Sequence, residues 1–293
     1  MHLIQSHAKC ILAGEHAVLR GSPALVFPVH TCGISLSFLE TGLPVEAEAA
    51  APYNETLLLF FWGILEAALK QLNKPHSDMS GRFFIHNTIP MGAGLGFSAA
   101  FCAAIAEWFL YKAWIEAPQL MAFARKLENG FHGRSSGVDI AGALASQAIR
   151  FDGIGKTKAL SLTWRPQLYL SYSNQVSITS KCIETVDALW REDPVFAKKI
   201  DEQMRSAVLM AEQALCDDPP QGFALLKTAI NDAYACFKAW GLVNRGLEEH
   251  IQGLKTAGAT AVKPTGAGAG GYVLSLWEKT PPDDLGFELL AVI

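Results

Sequence analysis

The chain has 293 residues, half of them hydrophobic and 18% charged, with a formal net charge of −4. That balance excludes a disordered chain and gives no general electrostatic reason to bind nucleic acid or an anionic membrane surface. An anionic substrate therefore needs a local cationic pocket, because the overall field supplies none.

The first elements read as strands and turns: HAKCILAG, a turn at Arg20–Pro23, then ALVFPV and TCGISLSFLE. β-Branched and aromatic residues bounded by Gly and Pro favour strand there. Thr56 to Leu72 carries apolar residues at helical spacing and stops near Asn73 and Pro75. A strand, RFFIHNTI, leads into PMGAGLGFSAAFCAAIAEWFLYKAWI, whose alanine-rich second half predicts a long buried helix. Another helix starts at Pro118 and is expected to end at Asn129-Gly130. A glycine-bearing loop follows, then a strand at Ile149–Phe151. The polar, turn-rich segment 156–166 is expected to carry the boundary between domains 1–165 and 166–293, each of a usual domain size. The second half predicts a strand (QLYLSYS), several helices between Ser180 and Thr256, and a glycine loop feeding the strand YVLSLW. This order predicts an α+β protein, with a nucleotide between the two halves, where pockets are often found.

The six cysteines, Cys10, Cys32, Cys102, Cys182, Cys216 and Cys236, form no C-x-x-C pair. They read as reduced, mostly buried thiols. No signal peptide is expected, since His7 and Lys9 interrupt the apolar start. The apolar stretches 56–69 and 98–115 contain Glu66, Glu107 and Lys112 and fall short of the ~20 clean residues of a membrane span. A cytoplasmic location without membrane or nucleic-acid partners is the expectation.

Four stretches carry chemistry. Lys9 lies on a strand that ends in Gly14-Glu15-His16, with Gly21-Ser22-Pro23-Ala24-Leu25 beyond it. This places ionisable groups at the lip of a core, as solvated charges or as a site. Pro90-Met91-Gly92-Ala93-Gly94-Leu95-Gly96-Phe97-Ser98 joins a strand to a helix. Its glycines let backbone N–H groups approach a ligand, and the helix start adds unpaired N–H groups suited to phosphate. No Gly-Lys-Ser/Thr follows, so it is not a Walker A loop. Ser98 reads either as a helix cap or as a hydroxyl for phosphate-bound Mg²⁺. In Glu128–Asp139, Glu128 falls at a helix C-terminus, where the dipole disfavours a carboxylate. Asp139 alone reads as a cap; with Glu128 and His132 in one segment it reads equally as part of a site. Finally, Lys263-Pro264-Thr265-Gly266-Ala267-Gly268-Ala269-Gly270-Gly271 spends backbone entropy that a close approach to another backbone or to phosphate would offset.

In this order the four stretches resemble the motifs of the GHMP kinase superfamily, and among its branches the mevalonate kinases. The likeness spans residues 9 to 272, and Glu128–Asp139 is its most specific part. It implies an N-terminal domain with a left-handed β-α-β unit and a ferredoxin-like C-terminal domain. It implies ATP with Mg²⁺ and phosphorylation of the terminal hydroxyl of mevalonate, with a homodimer left open. By the same likeness Asp139 is the base and Lys9 the cation that lowers the hydroxyl's pKa. Pro90, Gly92, Ala93, Gly94, Leu95, Gly96 and Ser98 bind ATP, and Ser98 and Glu128 hold the metal. Glu15, His16, Thr179, Ser180, Gly266 and Ala267 lie on the substrate side. Phe97, Ser135 and Ile178 depart from the pattern, where serine, proline and often arginine are usual. Phosphomevalonate kinase, a mevalonate kinase of other regiochemistry, diphosphomevalonate decarboxylase and a catalytically silent nucleotide sensor remain as alternatives. A dinucleotide-binding oxidoreductase is disfavoured by the missing ribose-binding acid.

Overall fold

Two antiparallel-rich sheets divide the chain in this computed structural model, which describes residues 1–52, 54–132, 135–282 and 284–293, without the side chains of 131 and 132. In the first sheet β1 (His2–Ala13) pairs antiparallel with the long β2 (Ala24–Pro44). The segments ALVFPV and TCGISLSFLE, expected as two strands, are one. A register shift opposite His7 and Ala8 falls where they were expected to part.

β3 (Glu46–Ala49) runs parallel to β4 (Ser80–Asn87), and α1 (Asn54–Leu72) connects them, giving a β-α-β unit. β4 and then β5 (Ile149–Phe151) pair with β2, and β6 (Thr157–Ala159) pairs with β5. The other α-helices described in this half are α2 (Phe97–Tyr111), α3 (Leu120–His132) and α4 (Val138–Leu144). Apolar on nearly every side, α2 is buried throughout most of its length, as a helix without a polar face must be.

The second sheet has the order β10 (Leu290–Ala291), β7 (Gln167–Tyr172), β9 (Tyr272–Trp277), β8 (Ala261–Pro264), with every pairing antiparallel. Counted along the chain this is 4-1-3-2, the order of a ferredoxin-like sheet. Four helices are described between β7 and β8: α5 (Thr179–Glu192), α6 (Pro194–Cys216), α7 (Pro219–Ala239) and α8 (Arg245–Thr256). Proline opens α6 and α7, where its missing N–H costs nothing. The protein is α+β.

Two boundaries differ from expectation. Helix α3 continues through Asn129-Gly130 to His132, because its buried face outweighs a stop signal worth about 1 kcal/mol. The polar segment after Phe151 contains β6, an exposed edge strand that apolar patterning could not reveal. One apolar cluster runs from Ile4 to Val292 and unites the two sheets. We propose the domain division at 165/166, since the strands of one sheet end at Ala159 and those of the other begin at Gln167. All six thiols are free and only Cys216 is exposed. No helix among the described residues is long and apolar enough to cross a membrane.

Phe97 is buried, with its ring 5.2 Å from Phe60 on α1 and 5.8 Å from Phe101 one turn along α2. The ring turns into the core, between α1 and α2 rather than between the domains. Phe97→Ser should therefore destabilise the fold by about 1–3 kcal/mol in a denaturant titration, with the Michaelis constant for ATP moving only a few-fold. An unchanged melting temperature with a tenfold ATP effect would put the ring in the nucleotide site instead.

Candidate active site

Lys9, on β1, is almost fully buried, and its surroundings explain how a lysine stem fits there. A Cβ on Gly96 would lie 2.9 Å from Lys9 Cε, and one on Gly142 would lie 2.9 Å from Lys9 Cβ. Both clash with the stem, so the two glycines make its channel. Lys9 N–H donates to the Leu95 carbonyl (3.0 Å) and Nζ donates to the Gly94 carbonyl (3.1 Å). Strand β1 thus holds the 91–96 loop from beneath. Lys9 Nζ also meets Asp139 Oδ1 at 2.9 Å, an ion pair by distance that is not aligned as a hydrogen bond.

Asp139 stands in the first turn of α4 with part of its side chain open to solvent. Gly137 occupies the N-cap position, so of the two sequence readings of Asp139 the cap does not hold. Ser98 likewise lies inside the first turn of α2, where Gly96, at φ 79°, is the N-cap. Cys102, one turn beyond Ser98 on the same helix face, feels the charge of Glu128.

Glu128 is buried, and burial followed by the nearby Asp139 carboxylate pushes its pKa up to about 7. A hydrogen bond from Ser135 Oγ and the charges of Lys9 and Arg125 act the other way. The side chain of His132 lies outside the described residues. No group of three or more His, Cys, Asp or Glu among the described residues gathers as a metal cluster. The donors to hand are hard oxygens, Glu128 and Ser98. They suit a Mg²⁺ ion that keeps several waters and takes nucleotide phosphates as its other ligands.

The two glycine loops meet. Tyr272 N–H donates to the Ala93 carbonyl (3.0 Å), and Gly266 and Gly94 are in close backbone approach. Segment 175–178 covers both: Gly271 N–H donates to Gln175 O (2.7 Å), Ser177 Oγ donates to Gly268 O (2.7 Å), and Val176 reaches Gly92. Thr179 and Ser180 follow in the exposed first turn of α5, whose N-cap is Ile178, itself exposed. Pro90 and Gly92 are exposed at the loop's entry, whereas Ala93 and Leu95 are buried supports.

Glu15 and His16 are directed within the protein. Lys263 Nζ, fully buried, donates to Glu15 Oε1 (2.5 Å) and to the Ile11 carbonyl (3.2 Å). Thr265 Oγ1 joins Ile11 N–H and C=O at 2.9 and 3.1 Å. His16 Nε2 donates to the Ala267 carbonyl (2.8 Å) between Phe237 and Trp240. The sequence assigned no role to Lys263, Thr265 or Gly142. Only Lys263 left a signal: a lysine inside a short apolar strand needs a buried anion.

Burial lowers the His16 pKa to about 4, against which the Ala267 carbonyl acts. Between that value and the unfolded value near 6.5 the unfolded chain binds the extra proton, so stability falls as pH falls through this window. The loss amounts to about 3 kcal/mol at its acid end. His16→Asn, a polar side chain that does not titrate in this range, should flatten that part of the stability–pH curve. Parallel wild-type and variant curves between pH ~6.5 and ~4 would remove His16 from it.

Residues 60–147 match the family described as GHMP kinases N terminal domain. The chain is 26% identical to the mevalonate kinase of Pyrococcus horikoshii, over 94% of this chain and 88% of that one. It is 27% identical to the mevalonate kinase of Thermococcus gammatolerans over the same shares. The structure of L. major mevalonate kinase in complex with R-mevalonate superposes with a TM-score of 0.77 at 22% identity, covering 97% of this chain and 89% of that one. These likenesses support an ATP-dependent small-molecule kinase that is similar to the GHMP kinases over residues 60–147. Within that class the similarity runs to mevalonate kinases.

Proposed function

We propose that this kinase transfers the γ-phosphoryl group of ATP to the terminal hydroxyl of mevalonate. The observation that carries the reading is the buried Lys9 ammonium, 2.9 Å from Asp139 and 3.1 Å from the carbonyl of Gly94. It joins a base and a cation to a glycine loop at a helix N-terminus. Resemblance to mevalonate kinases along nearly the whole chain supports the acceptor.

In this reading, Pro90, Gly92, Ala93, Gly94, Leu95, Gly96 and Ser98 receive the triphosphate. The N–H groups of the loop beyond Pro90, which itself has none, and the α2 dipole attract the anion that the overall charge of −4 does not. Asp139 accepts the hydroxyl proton, and Lys9 steadies the negative charge that develops on the attacking oxygen. Glu128 and Ser98 would hold a Mg²⁺ ion, which would supply charge neutralisation on the phosphates. Gly266 and Ala267, with Thr179 and Ser180, form the acceptor side, while Glu15 and His16 hold its loop in place. Because phosphoryl transfer is mostly positioning and charge stabilisation, a site this tightly braced suits it. The β3–α1–β4 unit is taken as the left-handed crossover that the resemblance implies, and the enzyme as cytoplasmic.

A coupled ADP-release assay across mevalonate, phosphomevalonate, homoserine and galactose tests the acceptor. Mevalonate is expected to give the highest kcat/KM. Preference for phosphomevalonate would move the chain to the next kinase class, and no ADP with any acceptor would leave a silent nucleotide sensor.

A further inference from the structure

Ser135 is the departure from the family pattern whose contacts reach the site. Its Oγ donates to Glu128 Oε2 and accepts from the Gly137 N–H at 3.0 Å. Its own N–H donates to Asn129 Oδ1 (2.8 Å), and its carbonyl accepts from Arg125 Nε and Nη2 at 3.0 and 2.8 Å. Arg125, Glu128 and Asn129 all lie on α3, whereas Gly137 caps α4 two residues before Asp139. One serine therefore ties the helix of the proposed metal ligand to the helix of the proposed base. A proline at this position would supply neither the N–H nor the hydroxyl.

We propose that Ser135 is a positioning residue that orients the Glu128 carboxylate toward a divalent cation. Its hydroxyl engages Oε2, which fixes the carboxylate plane and the direction in which Oε1 points. Partners that orient a ligating group in this way commonly change metal affinity when removed. The hydroxyl does this without touching metal or substrate. The same hydroxyl, through Gly137, sets the start of α4. This inference rests on the proposed metal role of Glu128, and the test separates the two.

Mn²⁺ is titrated in the presence of a non-hydrolysable ATP analogue and followed by electron paramagnetic resonance, with thermal unfolding measured alongside. Ser135→Ala keeps the main-chain bonds and removes only the hydroxyl, so Mn²⁺ affinity should fall roughly 10-fold with little change in melting temperature. Ser135→Thr should restore it. If Ser135→Ala does not fold, Ser135→Cys, near in size but a weak donor, should show the same loss in smaller measure. Wild-type Mn²⁺ affinity in the hydroxyl-free variant, with Glu128→Gln impaired, would overturn the role of Ser135 and leave that of Glu128. Wild-type affinity in Glu128→Gln would overturn the metal reading, and this inference with it.

Discussion

Replacing Asp139 by asparagine is expected to lower turnover by a factor on the order of 10² or more, with ATP affinity changed only a few-fold. Asparagine keeps the shape but cannot accept the hydroxyl proton. It also leaves the Lys9 ammonium facing a neutral amide where it now meets Asp139 Oδ1 at 2.9 Å. The bond from Nζ to the Gly94 carbonyl survives, so the glycine loop keeps its support from beneath. Nucleotide binding depends on that loop and should persist, which separates the chemical step from the binding step. Single-turnover kinetics and nucleotide affinity measured on the same preparation make the comparison. Near-normal turnover would remove Asp139 from the mechanism.

The largest stability effect is expected at Lys263. Its ammonium and the Glu15 carboxylate are both buried, and Glu15 Oε2 is already buried without a hydrogen-bond partner. Burial presses the Glu15 carboxyl upward in pKa, and the lysine acts against it. Lys263→Met removes that counter-charge and should destabilise the protein by about 3–5 kcal/mol. The double variant with Glu15→Leu should recover much of the loss, because two apolar groups need no pairing. Chemical denaturation of the single and double variants closes the cycle, and strictly additive losses would show that the pair is not coupled. Activity should fall with Lys263→Met, since β8 leads directly into the 265–271 loop that packs on Ala93 and Gly94.

The placement of the candidate residues at the ends of elements was legible in the sequence because it is local. Glycines at 92, 94 and 96 before an alanine-rich helix mark a strand-to-helix loop whatever surrounds them, and its phosphate role belongs to the proposal. Glu128 and Asp139 could be paired because one short segment holds both. Contacts across the fold were not legible. Gly142 reads as an ordinary helical glycine until β1 brings the Lys9 stem against it. Likewise, Lys263 and Glu15 are far apart in the chain and meet only when the second sheet docks on the first. Ser135 could be marked as a departure, but its hydrogen bonds depend on how α3 and α4 are joined. Among the elements, β3 escaped notice because EAEA is polar and reads as loop; its pairing with β4 makes it a strand.

The proton-coupled phosphorus NMR spectrum of the product formed from ATP and mevalonate tests the central claim most directly. A phosphate on the terminal primary carbon couples to two neighbouring protons and should appear as a triplet, formed together with ADP. A singlet would place the phosphate on the tertiary carbon, and unreacted mevalonate with intact ATP would mean no transfer at all. Either result would contradict a kinase that uses Asp139 and Lys9 to phosphorylate the terminal hydroxyl.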